Sequence, residues 1–266
     1  MTKQIWGMFG ACAIVASNMA LAVDNTELAK QLANPVAALI SVPFQANYDQ
    51  NIGPLKEGER LTMNIQPVVP IDIADEWNMI SRTIVPVVNQ DEIFPGAGEQ
   101  FGLGDTVQSL FFSPKAATES GWIWGAGPVL LLPTATDELT GADQWAAGPT
   151  AVALKQSGPL TYGMLANHLW SFAGDDQRAD INMTLIQPFF SYTTPKATTF
   201  TLQAEASRNW DSDEWSVPIG LTVGQLFNAG GQLMQVTAGP RYYAESFDNG
   251  PSGWSFRMAL TLLFPK

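Results

Sequence analysis

The segment 253–264, "GWSFRMALTLLF", puts Trp254, Phe256, Met258, Leu260, Leu262 and Phe264 on one parity and Ser255, Arg257, Ala259 and Thr261 on the other. Period-2 alternation of this kind predicts an extended strand with one apolar and one polar face. The same pattern recurs in "TTFTLQAEASRN", where Phe200, Leu202, Ala204 and Ala206 oppose Thr201, Gln203, Glu205 and Ser207. It recurs again in "LTMNIQPVVPI", and in the first strand, where Ile40, Val42, Phe44, Ala46 and Tyr48 face away from Ser41, Gln45, Asn47 and Asp49. Segments bounded by Gly, Pro, Asn and Asp clusters predict about twelve strands, each about 9 to 14 residues long, the length of a tilted membrane-crossing strand. They fall near 40–49, 61–72, 77–89, 106–114, 122–133, 144–156, 160–172, 181–193, 198–209, 214–227, 233–245 and 253–265. Alternation is weak in "WIWGAGPVLLLP" and "MTLIQPFFSY", whose faces the pattern leaves unassigned.

The connections alternate too. "DIADE", "PKAATESG", "SGP", "TTPKATT" and "NAGGQ" are short, whereas those between them are longer or more acidic and hold most of the acids, from Asp49 to Asp248. Short turns on one rim and long loops on the other are the outer-membrane pattern. Eight tryptophans, Trp77, Trp122, Trp124, Trp145, Trp170, Trp210, Trp215 and Trp254, fall near strand ends, where an indole belongs at the headgroup level. The expected fold is all-β: a transmembrane antiparallel up-and-down β-barrel of about twelve strands. A soluble secreted β protein is the competing reading, in which strand ends are where a sandwich core closes. In a barrel Arg257 and Glu205 must point inward, because a charge at the lipid midplane costs about 2–4 kcal/mol. Prolines at positions 43, 67, 70, 86, 128, 149, 188, 218 and 240 stand inside these strands although proline cannot donate to a ladder, so bulges or local gaps are expected there.

Residues 1–22 carry one charge, Lys3, an apolar stretch and the small pair Ala20 and Ala22, the layout of a secretory signal peptide cleaved after Ala22. Residues 23–39 form a periplasmic segment, with a short helix in "TELAKQLANPVAAL" ended by Asn34-Pro35, lying beneath the barrel mouth, plugging it or merely frayed. The barrel takes 40–266. The lone cysteine, Cys12, sits in the leader, so no disulfide framework is expected. Loss of Lys3 moves the net charge from −12 to about −13, which excludes nucleic acid as a partner. With 46% hydrophobic residues spread evenly and no long apolar run, a membrane would be crossed by strands.

The segments "GAGPVLLLPT", "AAGPTAVAL", "ANHLWSFAGDD", "LIQPFFSYTT", "WSVPIGLTVG", "AGPRYY" and "LTLLFPK" resemble, in order and over nearly all of the mature chain, the bacterial outer-membrane family labelled MetA-pathway of phenol degradation, whose members are often called simply transporters. The resemblance implies an outer-membrane barrel and uptake of aromatic or other hydrophobic compounds. It carries over no binding residues. In "FPK" two residues follow Phe264, a departure from the usual terminal aromatic.

The expectation is therefore an outer-membrane channel or uptake protein passing small, hydrophobic or aromatic solutes by passive diffusion. The alternative is a non-transporting structural or interaction barrel with a side-chain-filled lumen. The polar residues expected in the lumen are Asn64, Gln66, Arg82, Gln203, Glu205, Arg241, Glu245 and Arg257. Two acidic loop groups, Asp175, Asp176 and Asp180 and then Asp211, Asp213 and Glu214, suit divalent cations bridging to lipopolysaccharide phosphates. The single histidine, His168, is three residues from Ser171 on one strand, hence on the opposite face, and is expected at the interface or in the lumen. No enzymatic activity, no cofactor and no firm metal site are expected. Expected partners are outer-membrane lipid, lipopolysaccharide, a small solute and, through the C-terminal strand, the barrel-assembly machinery.

Overall fold

The structure, a computed structural model, describes residues 25–264. The proposed leader, 1–22, and the last two residues lie outside this range.

The chain opens with a helix, α1, over 25–32 and then runs in sixteen strand segments. These are β1 (Ile40–Ile52), β2 (Gly58–Ile65), β3 (Val68–Ala74), β4 (Trp77–Asp91), β5 (Glu99–Leu103), β6 (Thr106–Pro114), β7 (Trp122–Leu132) and β8 (Gln144–Ser157). There follow β9 (Leu160–Gly174), β10 (Asn182–Thr193), β11 (Thr198–Ala204), β12 (Ala206–Asn209), β13 (Glu214–Ser216), β14 (Pro218–Ala229), β15 (Gln232–Tyr243) and β16 (Gly253–Phe264). Four spans are each interrupted once, so β2–β3, β5–β6, β11–β12 and β13–β14 count singly and the barrel has twelve antiparallel strands. It closes where β16 pairs with β1, from Ile40 opposite Phe264 to Tyr48 opposite Phe256. The all-β barrel of about twelve strands expected above is the observed fold.

The alternation fixes the faces. In β16, Ser255, Arg257 and Thr261 are buried while Trp254, Phe256, Met258, Leu260 and Phe264 are exposed outward. Similar exposure of Phe200, Leu202, Leu61 and Val69 makes the outer face an apolar surface too large for water and suited to lipid. Tryptophans mark both rims of this surface. Trp77 meets Trp124 edge-on at 5.8 Å and Trp122 meets Tyr162 at 6.2 Å near the short turns, while Trp254 meets Tyr242 at 5.1 Å near the long loops.

The in-strand prolines follow a rule. At eight of the twelve strand interfaces the ladder skips at least two residues of each strand at mid-height, and each gap holds at least one proline. Between β8 and β9, for example, pairing passes from Ala147 with Trp170 to Thr150 with Asn167, leaving out Pro149. Pro43, Pro67, Pro86, Pro128, Pro188, Pro218 and Pro240 sit in equivalent breaks. A missing N–H is harmless where no partner would receive it, and the proline carbonyl stays in use. Thus Gln66 N–H donates to Pro43 O (2.9 Å), Gly104 N–H to Pro86 O (2.8 Å) and Glu205 N–H to Pro218 O (3.0 Å). Pro70 differs: it pairs with Ile80, and on its other side β3 has run past the start of β1. At three gaps the residue before proline is glycine, and a Cβ on Gly127, Gly148 or Gly239 would overlap the carbonyl oxygen of Leu110, His168 or Leu221.

The N-terminal segment occupies the barrel at the short-turn end. Leu28, Ala29 and Leu39 pack with Ala197, Leu226 and Leu263, and Val36 packs with Ile80, Phe111, Val152, Leu154 and Leu165. Gln156 Nε2 donates to Lys30 O (2.9 Å) and Thr26 Oγ1 to Pro195 O (3.2 Å). Of the arrangements open to residues 26–39, the structure adopts the plug.

Candidate functional site

Above the plug the lumen widens into a cavity of about 720 Å³ that reaches Phe247 and Pro251 in the loop between β15 and β16. Smaller cavities of about 250 and 200 Å³ continue it downward along α1 and Pro35, sharing Gln66 and Gln187 with it. The inward parity of each strand decides what lines this space.

One wall is charged. Arg257, on β16, reaches across to Glu205 at the break between β11 and β12, with Nη1 and Nη2 donating to the two carboxylate oxygens at 2.7 and 2.9 Å. A planar guanidinium matched to a carboxylate in this way gives the stronger, charge-assisted kind of hydrogen bond. Arg257 Nε donates to Asn47 Oδ1 at 2.7 Å, which fixes the guanidinium plane. Arg241 stands beside it between Glu205 (3.3 Å) and Asp49 (3.4 Å). Asp49 also accepts from Tyr243 Oη (3.0 Å) and Ser255 Oγ (2.6 Å). Two more arginines face the cavity with amide partners: Arg82 Nη2 donates to Gln66 Oε1 (2.9 Å) and Arg60 Nε to Gln90 Oε1 (2.7 Å). Among the described residues neither has a carboxylate within ion-pair distance.

The opposite wall is apolar. Leu165 and Leu169 of β9 and Met183 and Leu185 of β10 line the cavity there, interrupted by the amides of Asn167 and Gln187, and Ile84 of β4 and Val107 of β6 add apolar surface further round the ring. In the ring of twelve strands β9 stands diametrically across from β1, and β10 across from β2–β3.

Asn64, Gln66, Arg82, Gln203, Glu205, Arg241 and Arg257 all line the main cavity. Glu245 is the exception and a correction: β15 ends at Tyr243, so Glu245 is carried into the exposed loop above the rim, where its carbonyl accepts from Val217 N–H. Asp49, read among the outer acids, is instead buried in the lumen, since β1 continues to Ile52 and keeps its inward parity. Arg60, Tyr243 and Ser255 complete the charged wall, and the inward parity around Asn64 and Arg257 was the signal for Arg60 and Ser255. The apolar wall had no such signal, because a strand greasy on both faces loses its alternation.

The loop acids turn to separate partners. Asp180 accepts from Ser171 Oγ (2.9 Å), Asp211 from Asn182 Nδ2 (3.0 Å), and Asp175 from Gln177 N–H (2.8 Å). Asp213 pairs with Arg208, Glu214 accepts from Ser212 Oγ (2.8 Å), and Asp176 is exposed. Among the described residues no three metal-ligating side chains converge, so the expected cation clusters do not form. His168 lies on the outer face in the long-loop aromatic belt, 3.9 Å from Trp170, with Nδ1 2.7 Å from Thr184 Oγ1, to which Trp210 Nε1 also donates at 2.7 Å. Ser171 is engaged with Asp180 and gives His168 no nucleophilic partner.

In sequence, no family model and no curated protein matches the chain. In structure it is similar to the COG4313 outer membrane channel from Pseudomonas putida F1, at a TM-score of 0.66 and 14% identity over 85% of this chain and 94% of that one. The outer membrane phospholipase A of Escherichia coli matches at 0.49 and 8% identity, covering 86% and 90%, and that of Salmonella typhi at 0.48 and 7%, covering 85% and 91%. At these identities the likeness is one of fold, that of outer-membrane barrels, and assigns no family.

Proposed function

We propose that this chain is an outer-membrane channel or uptake protein that admits small, largely apolar solutes by passive diffusion. The observation that carries this reading is the cavity of about 720 Å³ inside a closed barrel, whose otherwise polar wall holds an apolar patch of Leu165, Leu169, Met183 and Leu185. A structural barrel would be expected to fill that space with packed side chains, as a protein interior does. The fold shared with an outer membrane channel supports the same reading. In this proposal a leader exports the chain, the short turns face the periplasm, and the long acidic loops face outside beside lipopolysaccharide.

The alternative, a barrel that transports nothing, draws its support from the plug of residues 25–39 and the charged network around Glu205 and Asp49. Ionic conductance of the full chain in a planar bilayer separates the two. Discrete open steps are expected, and uptake of a small aromatic solute into liposomes should exceed that into protein-free vesicles. A demonstrably folded barrel that neither conducts nor speeds uptake would overturn the proposal in favour of the structural reading.

A further inference from the structure

Four arginines, Arg60, Arg82, Arg241 and Arg257, face the main cavity against two carboxylates, Asp49 and Glu205. Both carboxylates are already committed to Arg241 and Arg257. Arg82 has spent one donor on Gln66, a neutral partner, and lies where the main cavity meets the 200 Å³ cavity beside the plug. A guanidinium carries five N–H donors and keeps its charge at any working pH. Its remaining donors thus border empty volume. Across the lumen stand Leu165, Leu169, Met183 and Leu185. A solute that satisfied both walls at once would need a compact anionic head and an apolar body a few carbon atoms long.

We infer that the lumen binds small apolar monocarboxylates, with the carboxylate on Arg82 and the apolar body against the β9–β10 wall. This inference rests on the uptake reading above and narrows its substrate class. The geometry needed is simple: a carboxylate accepts two parallel N–H bonds from one guanidinium, whereas an alcohol of the same shape accepts one, uncharged, and an ammonium is repelled. Loop acids at the mouth affect the rate of entry more than the site, because exposed charges are screened within about 8 Å at physiological ionic strength.

The probes are 3-phenylpropionate, 3-phenyl-1-propanol and 3-phenylpropylammonium, which differ only in the head. Binding of each to the full chain in lipid nanodiscs is measured by titration calorimetry, with folding checked by heat-modifiable gel shift. The carboxylate is expected to bind at least about tenfold more tightly than the alcohol, and the ammonium more weakly than both. Arg82→Gln should bring the carboxylate down to the level of the alcohol and leave the alcohol unchanged, while Arg82→Lys keeps most of the preference. Leu169→Asn should weaken carboxylate and alcohol alike. Equal binding of carboxylate and alcohol, or an unchanged preference in Arg82→Gln, would overturn the inference while leaving uptake of apolar solutes standing. Failure of all three probes to bind, together with no permeation, would remove both.

Discussion

Glu205 holds two arginines at once, and its removal would leave both guanidinium groups short of charge in a partly buried site. Breaking such a pair by deleting one partner typically costs about 3 kcal/mol or more. Glu205→Ala is therefore expected to lower the unfolding free energy read from urea curves of the folded barrel by about that much, and Arg257→Ala by a similar amount. A second residue-scale expectation concerns Gly148, where any side chain would press on the His168 carbonyl. Gly148→Ala should destabilise the barrel by about 1–3 kcal/mol, the usual cost of overpacking, read from the same urea curves. The inward placing of Arg257 and Glu205 was legible from parity alone, since lipid forbids the other face. Asp49 was harder, because an acid near a strand end looks the same whether the strand stops there or runs on for three residues.

At the scale of elements, the two stretches with blurred alternation turn out to be greasy on both sides for a reason. In β7, Ile123 packs on the cluster around Val36 and Val129 is buried on the same parity, while Trp122 and Trp124 face outward. In β10, Leu185 and Phe189 face inward while Phe190 and Tyr192 face outward. Periodicity reports a difference between two faces, so it disappears where plug and lipid are equally apolar. Proline was legible as a marker of interruption, but a single strand does not reveal that its neighbours break at matching heights. Amides around the gaps, such as those of His168 and Leu221, should exchange with solvent faster than those of β16, which pairs without a break on both sides. Hydrogen exchange followed by mass spectrometry checks this, and uniform protection along all twelve strands would contradict it. The long loops are tied by Arg178, whose guanidinium donates to the carbonyls of Glu138 (2.6 Å) and Gly141 (2.5 Å). Arg178→Ala should raise protease nicking in 133–143 and leave the barrel's melting temperature within about 2 °C, since exposed loops open independently of the core.

For the whole molecule, the closing pair β1 and β16 sets the ring, and the plug then sets what the ring can pass. Deleting residues 25–39 removes Leu28, Ala29, Val36 and Leu39 from the short-turn end without touching the first ladder pair at Ile40. Single-channel steps of that variant should be several-fold larger than those of the full chain, and equal steps would mean that the constriction lies elsewhere. The eight proline gaps, taken together, give the cylinder a mechanical character. A cooper's barrel has hoops above and below and staves between. Here β7–β8, β9–β10 and β15–β16–β1 are the fully joined staves, and the remaining seams are fastened near both rims but loose at the waist. Sideways pressure from the bilayer would accordingly be taken up at the waist, at the level of Gln66, Gln187 and Glu205, while both rims keep their circumference.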